Sequence, residues 1–202
     1  MLLCCYSRSK SKINTNTKKI HLSETSLEYF VNEYDIKHTI EDLNLVGYGT
    51  FIDDYTYLDK LPNLKILILS ASIIDNTIYL KNLVQLTSLT LNLCFNITDF
   101  NYISKLINLN YLDLSDNPLG ELSFVNNLKN LKELILVRTP ITNIQPIANI
   151  HNLEILNLQS CLNIMNYKHL ATLTKLKTLN VKQSNLFKLS DLYKLSHCNI
   201  II

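Results

Sequence analysis

Glycine is almost missing from this sequence: its 202 residues hold only Gly47, Gly49 and Gly120. No Gly-x-Ser-x-Gly occurs, which removes the strand-turn-helix setting of a hydrolase serine. Gly47-Tyr48-Gly49-Thr50 has neither the spacing nor the Lys of a phosphate loop. Cys-x-x-Cys and His-x-x-x-His are absent too. His21, His38, His151, His169 and His197 are scattered, and His197-Cys198 is the only close pair, two ligands short of a zinc site. No catalytic residue, metal, cofactor or small-molecule substrate is therefore expected. No run reaches the ~18 apolar residues that span a bilayer. The apolar start Met1 to Tyr6 is too short for a signal-peptide core and has no basic residue ahead of it.

A strong charge of either sign is also lacking. The net charge of +2 hides an asymmetry: Arg8, Lys10, Lys12, Lys18 and Lys19 stand in residues 1–19 with no acid, leaving 14 basic against 17 acidic residues beyond. A mildly acidic body argues against nucleic acid as the ligand of the main domain, since that needs a basic stripe. Leu, Ile and Asn dominate, and Lys greatly outnumbers Arg. That bias fits an AT-rich genome, such as that of a large DNA virus or a protist, and carries no chemistry.

What is abundant is a repeat. The block Leu-x-x-Leu-x-x-Leu-x-Leu begins at Leu61, Leu83, Leu106, Leu128, Ile150, Leu173 and Leu195, with steps of 22, 23, 22, 22, 23 and 22 residues. A fixed period of this length marks a solenoid, whose units bury their apolar edges only by stacking. In Tyr111-Leu112-Asp113-Leu114-Ser115, alternation sends Leu112 and Leu114 inward and the other three outward, as in a half-buried strand. Leu119, Leu122 and Val125, three apart, suit a 3₁₀ turn. Three residues after the last strand Leu stands a column of small residues able to hydrogen-bond: Ser72, Cys94, Asn117, Thr139, Cys161 and Ser184. Such side chains satisfy backbone groups left buried where the coil turns. The two 23-residue units carry Cys in this column, and their extra residue falls just after it, in Cys94-Phe95-Asn96-Ile97 and Cys161-Leu162-Asn163-Ile164.

This pattern resembles the leucine-rich-repeat family, whose consensus has Asn or Cys at that column. The run from Leu128 to Ile147 is similar to the 22-residue subclass of bacterial internalins and of a protein phosphatase regulatory subunit. Asn63, Asn108, Asn130 and Asn152 fall where that subclass often has Asn. The resemblance covers residues 36–202. It implies an α/β solenoid: a curved right-handed coil with short parallel strands on the concave face and 3₁₀ or short helical turns on the convex face. It is far less specific for function, because the repeated residues build the scaffold.

The domain organisation follows: a basic disordered tail over 1–20, an N-terminal capping helix in 21–35, and about seven units over 36–202, the last incomplete. Thr25-Ser-Leu-Glu28 fits a capping box, and Leu27, Phe30, Val31 and Tyr34 have helical spacing, so a helix is expected at about 24–35. A degenerate first unit follows, with Ile40, Leu43 and Leu45 as its strand core and Gly47-Tyr48-Gly49 in place of the usual turn. The segment Leu195 to Ile202 reads as a repeat that stops inside its strand, through truncation or to dock on something. Cys94 and Cys161 sit where the repeat demands a buried small residue, so a structural role outweighs a nucleophilic one. The clustered flanking cysteines usual in extracellular members are missing, which points to an intracellular, cytoplasmic protein with reduced thiols. Cys4 and Cys5, beside basic residues, are candidates for lipidation, with membrane contact through the tail only; Leu2 excludes N-myristoylation.

The outward strand positions give the candidate site. Tyr111, Ile135, Val137 and Ile155 come from three adjacent strands, with Asp113, Glu133 and Asn157 around them and Arg138 just beyond. An apolar centre with a charged rim suits protein binding. The plainer alternative is that Ile and Val merely suit strands. The expected function is a non-enzymatic protein-interaction module that holds a protein partner on its concave sheet, with enzyme regulation conceivable. A membrane-tethered adaptor and a non-catalytic fragment of a larger enzyme are the rival readings.

Overall fold

A computed structural model describes residues 2–5, 18–22, 27–33, 38–46, 54–165, 167–185 and 192–202. Each repeat block enters a three-residue strand. After β1 (Leu2–Cys5), β2 (Lys19–Leu22) and α1 (Leu27–Glu33) come β3 (Asp42–Asn44), β4 (Ile66–Ile68), β5 (Ser88–Thr90), β6 (Tyr111–Asp113), β7 (Glu133–Ile135), β8 (Ile155–Asn157), β9 (Thr178–Asn180) and β10 (Asn199–Ile201). All pair in parallel and in sequence order, as one ten-stranded sheet among the described residues. The crossovers are 3₁₀ segments at Tyr55–Lys60, Thr77–Leu80, Asn101–Lys105, Ser123–Asn127, Gln145–Asn149 and Lys168–Thr172. The result is the expected α/β solenoid, with strands on one face and 3₁₀ turns on the other.

The period dictates this directly. From β3 to β9 the middle residue of each strand is buried and its two neighbours are half-buried. Leu67, Leu89, Leu112, Leu134, Leu156 and Leu179 form one inward row at 0% exposure. Each such side chain contributes roughly 1.5–3 kcal/mol on burial. The 3₁₀ segments close on the block's first residue, for example Leu106 N–H to Ile103 O (2.9 Å) and Ile150 N–H to Ile147 O (2.9 Å).

The polar column is buried and bonded. The Asn117 side-chain amide donates to Leu91 O (2.8 Å) and Leu114 O (2.9 Å), and its oxygen accepts from Cys94 N–H (2.9 Å). The thiols of Cys94 and Cys161 donate to Leu69 O (3.1 Å) and Leu136 O (3.0 Å). Thr139 Oγ1 donates to Leu136 O and Ser184 Oγ to Leu158 O, both at 2.8 Å. A second ladder runs along the rim where the strands begin. Asn63, Asn108, Asn130 and Asn152 donate to His38 O, Val84 O, Ile107 O and Lys129 O, a rung in four of the coils.

Immediately before the column lies a feature without a glycine to announce it. Ala71, Leu93, Asp116, Arg138, Ser160 and Gln183 all have positive φ, between 53° and 60°. The left-handed region disfavours L side chains by roughly 1–2 kcal/mol. Stacking enforces it here: the N–H groups of Ala71, Leu93, Asp116, Arg138 and Ser160 donate to the next coil at Asn92 O, Ser115 O, Val137 O, Gln159 O and Lys182 O (2.9–3.0 Å).

The N-terminal region departs from a patternless tail at both its ends. Lys19–Leu22 is strand β2, pairing with β3 on one side and with Leu2–Cys5 on the other. Ile20 and Leu22 alternate with Lys19 and His21 and bury fully over the first coil, while the Lys19 ammonium reaches the Asp42 carboxylate at 2.6 Å. Four residues are too few for that alternation to stand out in a basic stretch. Helix α1 lies within the span expected at 24–35; in it Leu27, Phe30 and Val31 are buried, and Tyr57 Oη donates to Glu28 Oε1 (2.8 Å). Thr25 and Ser26 of the capping box, Tyr34, and Gly47-Tyr48-Gly49 lie outside the described residues. Ile40, Leu43 and Leu45 are fully buried, and Leu195 leads into β10 beside β9.

Candidate protein-binding face

Parallel register sorts the outward residues into rows running across the coils. The first is Ile66, Ser88, Tyr111, Glu133, Ile155 and Thr178, each the direct partner of the next. The second is Ile68, Thr90, Asp113, Ile135, Asn157 and Asn180. Val137 extends β7 into a third row beyond the strands. Neighbouring strands lie about 4.8 Å apart, so Tyr111, Glu133 and Ile155 form a continuous line with Asp113, Ile135 and Asn157 beside it. All seven candidate residues are half-buried.

Asp113 and Asn157 have a prior duty that sequence reading missed. Their Oδ1 atoms accept from Ser115 N–H (2.9 Å) and Gln159 N–H (3.0 Å), closing the end of the strand. Asn44 and Asn180 do the same for Val46 and Lys182. Ile135 has no such oxygen, and there Val137 N–H takes Ser115 Oγ of the neighbouring coil (3.2 Å). The signal was available: Asp or Asn two residues ahead of a turn commonly bonds the backbone in this way.

Tyr111 reports the electrostatics of the face. Its phenol is pushed up to about 12, first by burial and then by the negative charges of Asp113 and Glu133. Arg138 is no free rim charge, since its guanidinium is bidentate on Asp116 (Nε to Oδ1 2.5 Å, the second N–H group to Oδ2 2.7 Å). Burial raises the Cys94 and Cys161 thiols, so both are neutral donors in the column. Cys4 and Cys5 belong to β1, and their side chains lie outside the described residues. Among the described residues no three His, Cys, Asp or Glu come together, and no helix is long and apolar enough to cross a membrane.

Several strongly exposed apolar side chains lie elsewhere. Phe95 (65%) and Leu162 (63%) directly follow Cys94 and Cys161, and Ile73 (51%) holds the same place after Ser72. Phe95, Asp116, Asn117, Pro118 and Arg138 line an open groove of about 310 Å³ at this rim. The 23-residue length of two units was its only sign in the sequence.

Among solved structures, the chain superposes on an internalin of Listeria monocytogenes with a TM-score of 0.79 at 26% identity, over 93% of this chain and 54% of the internalin. Internalin C2 of the same organism gives 0.73 at 25% identity, over 83% and 72%. This chain is a leucine-rich-repeat protein. The leucine-rich-repeat coil also matches, in fold alone, the protein of a TLR13–ssRNA13 complex, with a TM-score of 0.69 at 21% identity, over 92% of this chain and 28% of that one. It thus spans about half the length of the first internalin. No protein-family profile and no curated protein matches the sequence.

Proposed function

We propose that this leucine-rich-repeat coil is a non-enzymatic interaction module that captures a protein partner on its concave sheet, with β6, β7 and β8 at the centre. The observation that supports the reading is the half-buried apolar group of Tyr111, Ile135 and Ile155, which register sets around Glu133 on one face of the sheet, with Val137 just beyond β7. Preorganised apolar centres dominate binding energy at interfaces. The internalin likeness supports a binding role and names no partner for this chain. The TLR13 neighbour was solved with RNA, but from Ile66 to Gln159 the outward positions hold Asp113 and Glu133 and no cation, the reverse of what a phosphate backbone needs. We place the protein in the cytoplasm, where the buried Cys94 and Cys161 thiols stay reduced.

Replacing Ile135 and Ile155 together by Ser tests the reading. Partner capture should fall at least tenfold while the melting temperature shifts by no more than a few degrees, since neither side chain belongs to the inward row. Leu134→Ala, one residue away and 0% exposed, should instead cost about 2–5 kcal/mol of stability. Unimpaired capture by the Ile variant would remove the concave centre as the site.

A further inference from the structure

The carboxylates of the coil are not treated alike. Asp42, Glu41, Glu154 and Asp116 each hold a cation: Lys19, the pair Lys18 and Lys65, Lys177, and Arg138. Asp113 and Glu133, half-buried at the centre of the sheet, form no ion pair among the described residues. They stand diagonally across β6 and β7, since Asp113 is in register with Ile135 and Glu133 with Tyr111. Strand spacing and rise put their Cα atoms roughly 8 Å apart. An ammonium or guanidinium group fits between two carboxylates so placed. Within the outward strand positions the first cation is Lys182, beyond β9; Lys132, directly before Glu133, stands at the strand entry and acts on Glu154, and Arg138 is held on Asp116.

We propose that this centre receives a Lys or Arg side chain of a protein partner, flanked there by apolar residues that pack on Ile135, Val137 and Ile155. This rests on the concave-face reading above and specifies the partner's chemistry. Three things favour a cation. Two like charges share a small, half-desolvated area with no ion pair among the described residues, so an incoming positive charge is attracted by both. Tyr111 adjoins both, two residues before Asp113 on β6 and in register with Glu133, and its phenol feels both charges; an aromatic ring so placed attracts a cation. The apolar collar keeps water out once a partner is seated, which strengthens the pairing relative to an open surface. Asp113 keeps one oxygen for the Ser115 N–H and has the other to give.

The test is selection of a phage-displayed library of random dodecapeptides on the full chain, followed by calorimetry with the peptides obtained. Selected peptides should share a Lys or Arg beside aliphatic or aromatic residues. Their affinity should fall tenfold or more in D113N/E133Q, and should weaken as NaCl rises from 0.05 to 0.5 M. Asn at 113 preserves the strand closure, and a melting curve identical to wild type separates binding loss from unfolding. Peptides that depend on Ile135 and Ile155 but lack basic residues would overturn the cation proposal and leave the concave site standing. Peptides indifferent to Ile135 and Ile155 would overturn both. Basic peptides that bind D113N/E133Q as tightly as wild type, or a library yielding no binder, would also overturn it.

Discussion

Replacing Asn117 by Leu should be among the most damaging single changes in the coil. The Asn117 side chain, 3% exposed, serves three backbone groups: Cys94 N–H, Leu91 O and Leu114 O. Leucine offers none of these bonds and fills a similar volume, so water cannot take over. A buried polar group left without a partner costs about 1–3 kcal/mol, and three of them give roughly 3–6 kcal/mol after some relaxation. At about 2–4 °C per kcal/mol for a domain of this size, melting should fall by upwards of ~6 °C. Asn108→Leu is the control. It removes one bond, Asn108 Nδ2 to Val84 O at 2.9 Å, on an exposed rim where water can replace it, for about 0.5–1 kcal/mol. Asn117→Thr should fall between them: Thr139 Oγ1 makes the equivalent bond to the strand-end carbonyl Leu136 O, but a hydroxyl cannot also reach the preceding coil twice. Melting curves followed by circular dichroism rank the three. Equal losses for Asn117→Leu and Asn108→Leu would refute the reasoning and with it the register of the coil.

Cys94→Ser and Cys161→Ser should fold and keep partner binding, at a cost of about 1 kcal/mol or less, because Ser184 already fills that column by donating to Leu158 O; lost binding with an intact melting curve would show a thiol role. Tyr111 should ionise near pH 12 when titrated by its ultraviolet absorbance, and earlier in D113N/E133Q. Because its folded pKa is raised, its contribution to stability is complete below the unfolded value of about 10 and is lost as pH climbs through 12; a normal titration would mean that the face is neither desolvated nor negative. Ala71→Gly should leave stability unchanged or slightly higher, whereas Ala71→Val should lower it by roughly 1–3 kcal/mol, since a β-branched residue tolerates φ near 56° poorly.

Much of this fold could be read from spacing alone. The inward row, the outward rows and the polar column all followed from the 22-residue period, because each unit meets the same neighbours and a one-residue slip would expose every Leu. What escaped is what stacking creates. Five of the six left-handed residues are held by N–H bonds to the next coil, and none is a glycine. The closure by Asp113 and Asn157 is local chemistry that the search for a binding face overlooked. Strand β2 was hidden because Ile20 and Leu22 supply only two inward positions. At the site, register brought the predicted neighbours together, but the pairing of Arg138 with Asp116 depended on side-chain geometry at a turn whose shape the sequence does not display.

The central claim, that a protein partner seats on the concave sheet around β7, is tested most directly by site-specific photocrosslinking. A benzoylphenylalanine at position 135 should yield a discrete partner adduct that disappears with Ile155→Ser. The same group at position 107, where Ile107 is 53% exposed in the turn entering β6, should yield none. Adducts of equal yield at both positions, or at 107 alone, would contradict the account.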